Sequence, residues 1–357
     1  MTLKKNMLIT LVLMLMGVFG YGLPASALDV RIMVCPKGCG LLVGDLYIME
    51  QVKNFDPDIN YLPEATGGYL ANLNEMGSNK DRWKDTVFAI NDDTLSFGPK
   101  GGKHPFAMFI PEPVNETFKL LHGVYWGTTG HFFITLDPSI KSVSDLKGKT
   151  IGLGLTGQSD WGMNPTLDLE LGYGITAENT TLLYLGPAKM GQALLSGEID
   201  AAVAALGTDV TFTDWLPSAV FREWKKSGKK LYYIGHEPGI VEKLNEELNT
   251  SYVECDIPAG ILPTQKEKIH TFVDRDFKAV HESFPEDLAY KLVKLVAQVG
   301  PQMKMTTGLW RTWSPEIMVA GLSEDNTHPG AIRAFKELGW WELRKNFTPS
   351  VLPDGGK

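Results

Sequence analysis

Two glycine-containing segments carry the residue types best suited to hold a small ligand. The first contains Thr66, Gly67, Gly68 and Tyr69, and the second contains Gly157, Gln158 and Ser159. Glycine lets the backbone approach a ligand closely, and free N–H groups at a helix start favour an anion. Neither segment has the Lys-Ser/Thr ending of a phosphate-binding loop. Each alone is also typical of a tight turn, but as a pair they predict an anion site built mainly from backbone N–H groups.

Polar and aromatic side chains near these segments extend the predicted site. Asn91 and Asp92 follow a buried strand-like run, Val87 to Ile90, and Trp161 follows the second glycine segment. We expect Asn91 to hydrogen-bond the ligand, as would the hydroxyls of the two segments. Asp92 either caps the next turn or faces the ligand. Tyr69 and Trp161 would wall the pocket, with ordinary packing as the alternative for the tryptophan.

The sequence offers little for catalysis or metal binding. No Gly-x-Ser-x-Gly motif is present, and the 7 histidines include no His-x-x-x-His pair. Asp92 and Asp93, read as neighbours on a strand, would point to opposite faces and make a poor acid–base pair. Cys39 is the candidate nucleophile, but it has no partnered base. Cys35 and Cys39 are either a disulfide or two thiols, since no nearby His or further Cys supports a metal site. We therefore predict no enzyme activity, no cofactor and no metal.

Strand-like and helix-like runs alternate along the chain, which predicts an α/β fold with a mostly parallel sheet. A first unit begins with a strand at Val30 to Val34. A second unit repeats the pattern, with a strand at Thr181 to Leu185 and a helix at Ala188 to Leu195. The tail from about Ile269 is predicted to be mainly helical.

The two units predict two lobes with a ligand cleft between them. We assign residues 28–130 plus 256–357 to the first lobe and residues 131–255 to the second. The chain would then cross between the lobes twice, and two crossings form a hinge that can close on a ligand.

The N-terminus predicts export. Lys4 and Lys5 precede an apolar run, Met7 to Phe19, and Ala25-Ser26-Ala27 has the pattern of a cleavage site. This is a secretory signal peptide, residues 1–27, because the run is shorter than the ~20 residues of a membrane span. We expect a periplasmic protein that does not itself span the membrane. Its formal net charge of −8 argues against nucleic acid as a partner.

Several short motifs, spread in a fixed order over most of the mature chain, are similar to those of a known protein family. They are Thr66-Gly67-Gly68-Tyr69 with Asn72, then Asp85 with Asn91-Asp92; Asp145 to Gly154; Ser196 to Ala201; and Ile257 to Gly260 with His328 to Ala331. In this arrangement the chain resembles the TAXI group of periplasmic solute receptors, which feed TRAP-type secondary transporters. The His-Pro-Gly-Ala segment is the most discriminating of these motifs.

The resemblance implies a type II periplasmic-binding fold, no catalysis and a small organic acid as ligand. Its implied partner is a TRAP-type membrane permease. The chain departs from the family at its first ligand loop, which contains Cys39 but no tyrosine, and at Tyr69, where the family has serine. Alternative functions are a receptor for an ATP-driven importer, a ligand sensor subunit or, least favoured, an enzyme on the same fold.

Overall fold

The computed structural model describes residues 27–127, 132–218, 220–306 and 308–350, which form two β-sheets flanked by helices. The predicted signal peptide lies outside the described residues, apart from Ala27. The predicted crossing at residues 130–131 also lies outside them.

The larger sheet has eight strands. They are β1 (Leu28–Met33), β2 (Ile59–Glu64), β3 (Thr86–Asn91), β4 (Phe118–Gly127), β9 (Leu206–Thr208), β10 (Trp215–Pro217), β12 (Val253–Ile257) and β13 (Ile269–His281). Their spatial order is β10-β9-β4-β13-β3-β1-β2, and β12 pairs with β13. Strand β1 runs parallel to β2 and β3, whereas β13 is antiparallel to β3 and β4. The carboxyl ends of β1 and β3 therefore meet at one edge of the sheet.

The smaller sheet has five strands and repeats this arrangement. They are β5 (Phe132–Thr135), β6 (Thr150–Leu153), β7 (Thr181–Tyr184), β8 (Ala201–Ala204) and β11 (Tyr232–Ile234). In the order β11-β5-β8-β6-β7, strand β6 is parallel to β7 and β8, and β5 is antiparallel to β8 and β11. In each sheet the parallel strands thus lie on one side, with β2 or β7 at the edge, and the antiparallel strands lie on the other. The larger sheet has more antiparallel than parallel pairs, so the prediction of a mostly parallel sheet is wrong there.

Helices pack around both sheets. They are α1 (Gly40–Gln51), α2 (Tyr69–Ser78), α3 (Asp92–Phe97), α4 (Asn164–Leu167), α5 (Pro187–Ser196), α6 (Val220–Ser227), α7 (Ile240–Leu248), α8 (Glu286–Thr306), α9 (Pro315–Val319) and α10 (Pro329–Leu338). Local sequence sets several boundaries. At α10, the His328 side chain accepts from the Gly330 N–H, Pro329 occupies the first turn, and Gly339 ends the helix with φ 73°.

Each sheet has its own hydrophobic core. The first contains Phe88 and Phe277, and the second contains Phe133 and Ile151, all fully or almost fully buried. Separate cores on separate sheets confirm the predicted two-lobed α/β fold. The first core also includes Met163, which follows β6 in the chain, so the two lobes are packed against each other.

The described chain passes from the larger sheet to the smaller one and back, with one additional excursion. It leaves the larger sheet after β4 and returns to it at β12. Between these points, β9 and β10 also join the larger sheet, because β9 extends the antiparallel pairing of β4 at Trp126 and Gly127. The proposed lobe boundaries remain a prediction.

The prediction that the tail is helical from about Ile269 is wrong for its first part. Residues Ile269–His281 form the 13-residue strand β13, and the first long helix of the tail begins at Glu286. The strand pairs with β12, β3 and β4, so long-range pairing overrides the local pattern. Ile269 packs in the second core and Phe277 in the first. A single continuous strand therefore links the two lobes.

A buried ion pair fixes β13 relative to helix α1. The Lys278 Nζ lies 2.6 Å from the Asp45 Oδ2, and the Tyr61 hydroxyl donates to the other Asp45 oxygen at 2.6 Å. Both charged residues are buried, so each needs the other to offset its loss of hydration. This pair holds the strand that also supplies Asp274 and Asp276 to the site below.

Candidate functional site

The two predicted glycine segments meet at the interface between the lobes. Gly68 has φ 124°, and a Cβ atom there would lie 2.6 Å from the carbonyl oxygen of Gly157. A Cβ at Gly157 would lie 3.2 Å from the carbonyl oxygen of Gly67. Only residues without side chains permit this approach of two backbones. The structure thus brings together two segments that are about ninety residues apart in the sequence.

Some of the N–H groups predicted to bind an anion already have partners. The Gly68 N–H donates to the Thr66 hydroxyl at 3.3 Å, and the Gln158 N–H donates to the Leu155 carbonyl at 2.9 Å. The Gln158 side chain in turn accepts from the Leu155 N–H at 2.9 Å. In this structure these hydrogen bonds stabilise the loops themselves.

Two other predicted site residues, Trp161 and Cys39, are held by other parts of the fold. Trp161 is half-buried, packs against the second core, and its carbonyl accepts from the Gly154 N–H at 2.6 Å. Cys39 forms a disulfide with Cys35 and stands directly before helix α1. Of the two alternatives left open for these cysteines, the disulfide is the one found. The candidate nucleophile therefore has no thiol in this structure.

Beneath the loops lies a set of buried carboxylates that we call the aspartate cluster. Its members come from three elements and are Asp92 and Asp93 in α3, Asp160 in the π-helical turn Ser159–Met163, and Asp274 and Asp276 in β13. Hydrogen bonds join them across the lobes. The Asn91 side-chain N–H₂ donates to Asp160 and, at 2.8 Å, to Asp274. The predicted residue Asn91 therefore connects both lobes and the linking strand.

A second bridge runs between the lobes through Asp93. The Asn164 Nδ2 donates to the Asp93 Oδ2 at 2.6 Å, and the Tyr252 hydroxyl donates to the same oxygen at 2.8 Å. Ser159, another predicted site residue, donates its hydroxyl to Asp160 at 3.0 Å. Side chains from both lobes thus share one buried polar network.

Asp92 pairs with a buried arginine. The Arg275 Nε lies 3.1 Å from the Asp92 Oδ2, and both side chains are almost fully buried. The guanidinium also donates to the carbonyl oxygens of Thr348 and, at 2.9 Å, Ser251. This positive charge is therefore held by the protein's own groups.

Burial and mutual repulsion raise the pKa values of Asp276 and Asp93 in this cluster. Burial, followed by repulsion from Asp160 and Asp274, raises the pKa of Asp276 well above its ordinary value. The Tyr69 hydroxyl lies near enough to oppose this rise, but in the part of the chain that the structure describes no donor meets hydrogen-bond geometry at either Asp276 oxygen. Burial and the charges of Asp274 and Asp92 likewise raise the pKa of Asp93. Carboxyls with raised pKa values in a cleft are candidates for a functional site.

Sequence reasoning missed much of this cluster. Asp93 was read as a strand neighbour of Asp92 pointing to the opposite face, but both residues begin helix α3 and both are buried. Asp274, Arg275 and Asp276 were assigned to a helical tail. A signal was available, because these charges lie in a run with the strand-forming residues Phe272, Val273 and Phe277. Charged residues in such a run require buried partners.

The sequence model of the NMT1-like family matches residues 99–339. The chain belongs to the NMT1-like family. The matched region includes Asp160, Asn164 and the whole of β13, so most of the aspartate cluster lies in the part that defines this membership. No curated protein matches the chain.

Solved structures similar to this NMT1-like chain include solute-binding proteins. The alkanesulfonate-binding protein SsuA from Xanthomonas axonopodis pv. citri bound to MOPS is 14% identical, with a TM-score of 0.43, over 91% of this chain and 86% of that one. A TctC solute binding protein from Polaromonas is 16% identical, with a TM-score of 0.44, over 89% and 98%. The periplasmic binding protein BugD is 14% identical, with a TM-score of 0.46, over 89% and 97%.

The described residues of this NMT1-like protein contain neither a candidate membrane span nor a candidate metal-binding group. None of the helices described combines the length and hydropathy needed to cross a bilayer. Within the same residues, no three or more His, Cys, Asp or Glu side chains are grouped so as to hold a metal ion.

We predict that Gly68→Ala will hinder the approach of the two glycine loops. The new methyl group would clash with the Gly157 carbonyl, so the contact between the lobes should loosen. Small-angle X-ray scattering should show a larger radius of gyration than for the wild type. Gly197→Ala is the control, because Gly197 also has positive φ but has open space around it. Both variants should lose about 1 kcal/mol of stability to backbone strain, but an unchanged radius for Gly68→Ala would contradict the prediction.

We predict that Asp276 makes the ligand-free protein less stable as the pH rises. The folded state binds the Asp276 proton more tightly than the unfolded state, because the folded pKa is raised. The stabilisation is therefore present at low pH and is lost as the pH climbs above the ordinary carboxyl value of about 4. Denaturant unfolding at several pH values should show that the free energy of unfolding falls less steeply with pH for Asp276→Asn than for the wild type. The exposed control Asp325→Asn should keep the wild-type slope, and equal slopes in all three proteins would disprove the assignment.

Proposed function

We propose that this member of the NMT1-like family is an extracytoplasmic solute-binding receptor that closes its two lobes around a small ligand. One observation carries the proposal, namely that polar side chains of both lobes converge on the aspartate cluster beneath two touching glycine loops. A ligand bound there contacts both lobes at once. It therefore favours the closed state over the open one, which is what a capture-and-release receptor requires.

The strand β13 suits the role of a hinge element. Its first half pairs with β12 and contacts the second core, and its second half pairs with β3 and β4 in the first lobe. Rotation of one lobe would change the angle at this crossing while leaving both cores intact. We propose the lobe boundaries 28–130 plus 256–357 and 131–255, with the first half of β13 reaching from the first lobe to the second core.

Two features support a periplasmic location. Residues 1–27 have the sequence of a signal peptide with cleavage near Ala27. The disulfide between Cys35 and Cys39 is of a kind that persists in oxidising compartments. The resemblance to the TAXI group supports a TRAP-type permease as the partner that receives the solute. Uptake by reconstituted permease and receptor without ATP would separate this partner from an ATP-driven importer.

The same resemblance supports a small organic acid as the ligand. The residues proposed to surround it belong to the two glycine loops and their neighbours, and they are Thr66, Gly67, Gly68, Tyr69, Asn91, Asp92, Gly157, Gln158, Ser159, Trp161 and Cys39. Charge-assisted hydrogen bonds contribute about 1.5–3 kcal/mol each. Three or four of them reach the roughly 8 kcal/mol that micromolar binding needs.

Ligand binding should stabilise the protein against heat. We predict that at least one compound from a panel of acids, amines, amino acids and sugars raises the unfolding midpoint of the chain from residue 28 onward. Ligand at 100 times its Kd adds about 2.7 kcal/mol to the free energy of unfolding. The protein should first be unfolded and refolded, and the released small molecules identified by mass spectrometry. The absence of any stabilising or co-purified solute would contradict the receptor function.

A further inference from the structure

The aspartate cluster has acceptors that no donor among the described residues meets with hydrogen-bond geometry. Both carboxylate oxygens of Asp276 lack a hydrogen-bond partner, although the residue is only 1% exposed. The side-chain oxygens of Asn91 and Asn164 also lack partners, although both residues are fully buried. Unpartnered buried groups are uncommon in native proteins and need an explanation, such as an absent water, ion or ligand.

The orientation of the two asparagines is fixed by their surroundings. Each turns its N–H₂ group toward carboxylates, Asn91 to Asp160 and Asp274 and Asn164 to Asp93. The opposite orientation would place an amide oxygen against these carboxylates, which is unfavourable. The free amide oxygens therefore add to the acceptors of Asp276 rather than offset them.

The charge of the cluster, like its unpartnered oxygens, favours a cation over an anion. Asp276 is repelled by Asp160 and Asp274. The guanidinium of Arg275 is already engaged by Asp92 and by the carbonyl oxygens of Thr348 and Ser251. An anion entering this region would face carboxylates and unpartnered oxygens, whereas a cation would relieve both the repulsion and the missing hydrogen bonds.

We propose that the ligand presents a protonated amine to the aspartate cluster, where it donates to Asp276 and to the free amide oxygens of Asn91 and Asn164. An ammonium group has three donors and no acceptor, so it complements a site that has acceptors in excess. This inference rests on the proposed receptor function and narrows its ligand class. It concerns the group that enters the cluster, and it permits a carboxylate elsewhere on the same ligand.

Aromatic neighbours favour an alkyl ammonium over a hydrated metal ion. Tyr125 lies opposite Asp276 in the pairing of β4 with β13, and the Tyr69 hydroxyl lies near the same carboxylate. Tyrosine rings attract organic cations and pack against the carbon atoms attached to the nitrogen. A divalent metal instead prefers six or more oxygen ligands, including water.

The test compares amines with acids of the same carbon skeleton. Calorimetric titration and thermal unfolding of the refolded protein would use butylamine, 1,4-diaminobutane, 4-aminobutyrate, benzylamine and tyramine. Butyrate, succinate and benzoate are the matched acids, and MgCl₂ and CaCl₂ are the inorganic cations. We expect binding by compounds that carry an amine and no comparable binding by the matched compounds that lack one.

Variants then locate the amine. Asp276→Asn keeps the side-chain size but removes the charge, and it should weaken amine binding about tenfold or more. The exposed control Asp325→Asn should bind as the wild type does. If circular dichroism shows that Asp276→Asn does not fold, Asp160→Asn takes its place, because it removes a neighbouring charge from the same cluster and should also weaken binding.

The outcomes separate this inference from the receptor function. If an acid binds and its matching amine does not, or if the metal salts alone stabilise the protein, the amine proposal is overturned and the receptor function stands. Unchanged amine binding in the aspartate variants also overturns the amine proposal. If no solute of any class binds, both the amine proposal and the receptor function fail.

Discussion

The burial of carboxylates at the boundary of two lobes is the constraint on which the rest of this structure depends. Removing a charge from water is costly unless the charge is paired, protonated or hydrogen-bonded. Asn91 partly meets this requirement by joining Asp160 to Asp274, and Arg275 meets it for Asp92. Because the partners come from different lobes and from β13, the polar network couples the position of one lobe to the other.

The glycine loops and the aspartate cluster serve this coupling in different ways. The loops allow two backbones to touch, since neither Gly68 nor Gly157 has a side chain to hold them apart. The cluster beneath them remains incompletely satisfied, with Asp276 as its clearest open acceptor. In the proposed receptor, these unmatched acceptors suit a ligand that supplies donors as the lobes close. The closed lobes then gain stability from the ligand rather than from the protein alone.

Much of the fold was predictable because it depends on local patterns. Alternating strands and helices predicted the α/β class, and the two units predicted the lobes. Strand β13 was misread because its pairing with β3 and β4 is long-range, and because Asp274, Arg275 and Asp276 look like exposed helix residues in a linear sequence. The glycine segments were recognisable, but their mutual contact depends on the packing of the two lobes.

The same limit applies to the chemistry of the site. The sequence predicted an anion site because glycine segments often offer free N–H groups, and it had no means of showing that the N–H groups of Gly68 and Gln158 are engaged within the loops. Nor could it reveal that Asp160, near the second segment, lies close to Asp276 of a distant strand. Repulsion between such residues is a property of the assembled cleft.

A crystal structure of the protein purified with its ligand would test the central claim most directly. The account predicts a ligand enclosed by both lobes, with a nitrogen atom about 3 Å from a carboxylate oxygen of Asp276. A ligand seated on the glycine loops through a carboxylate, with only water in contact with Asp276, would contradict it.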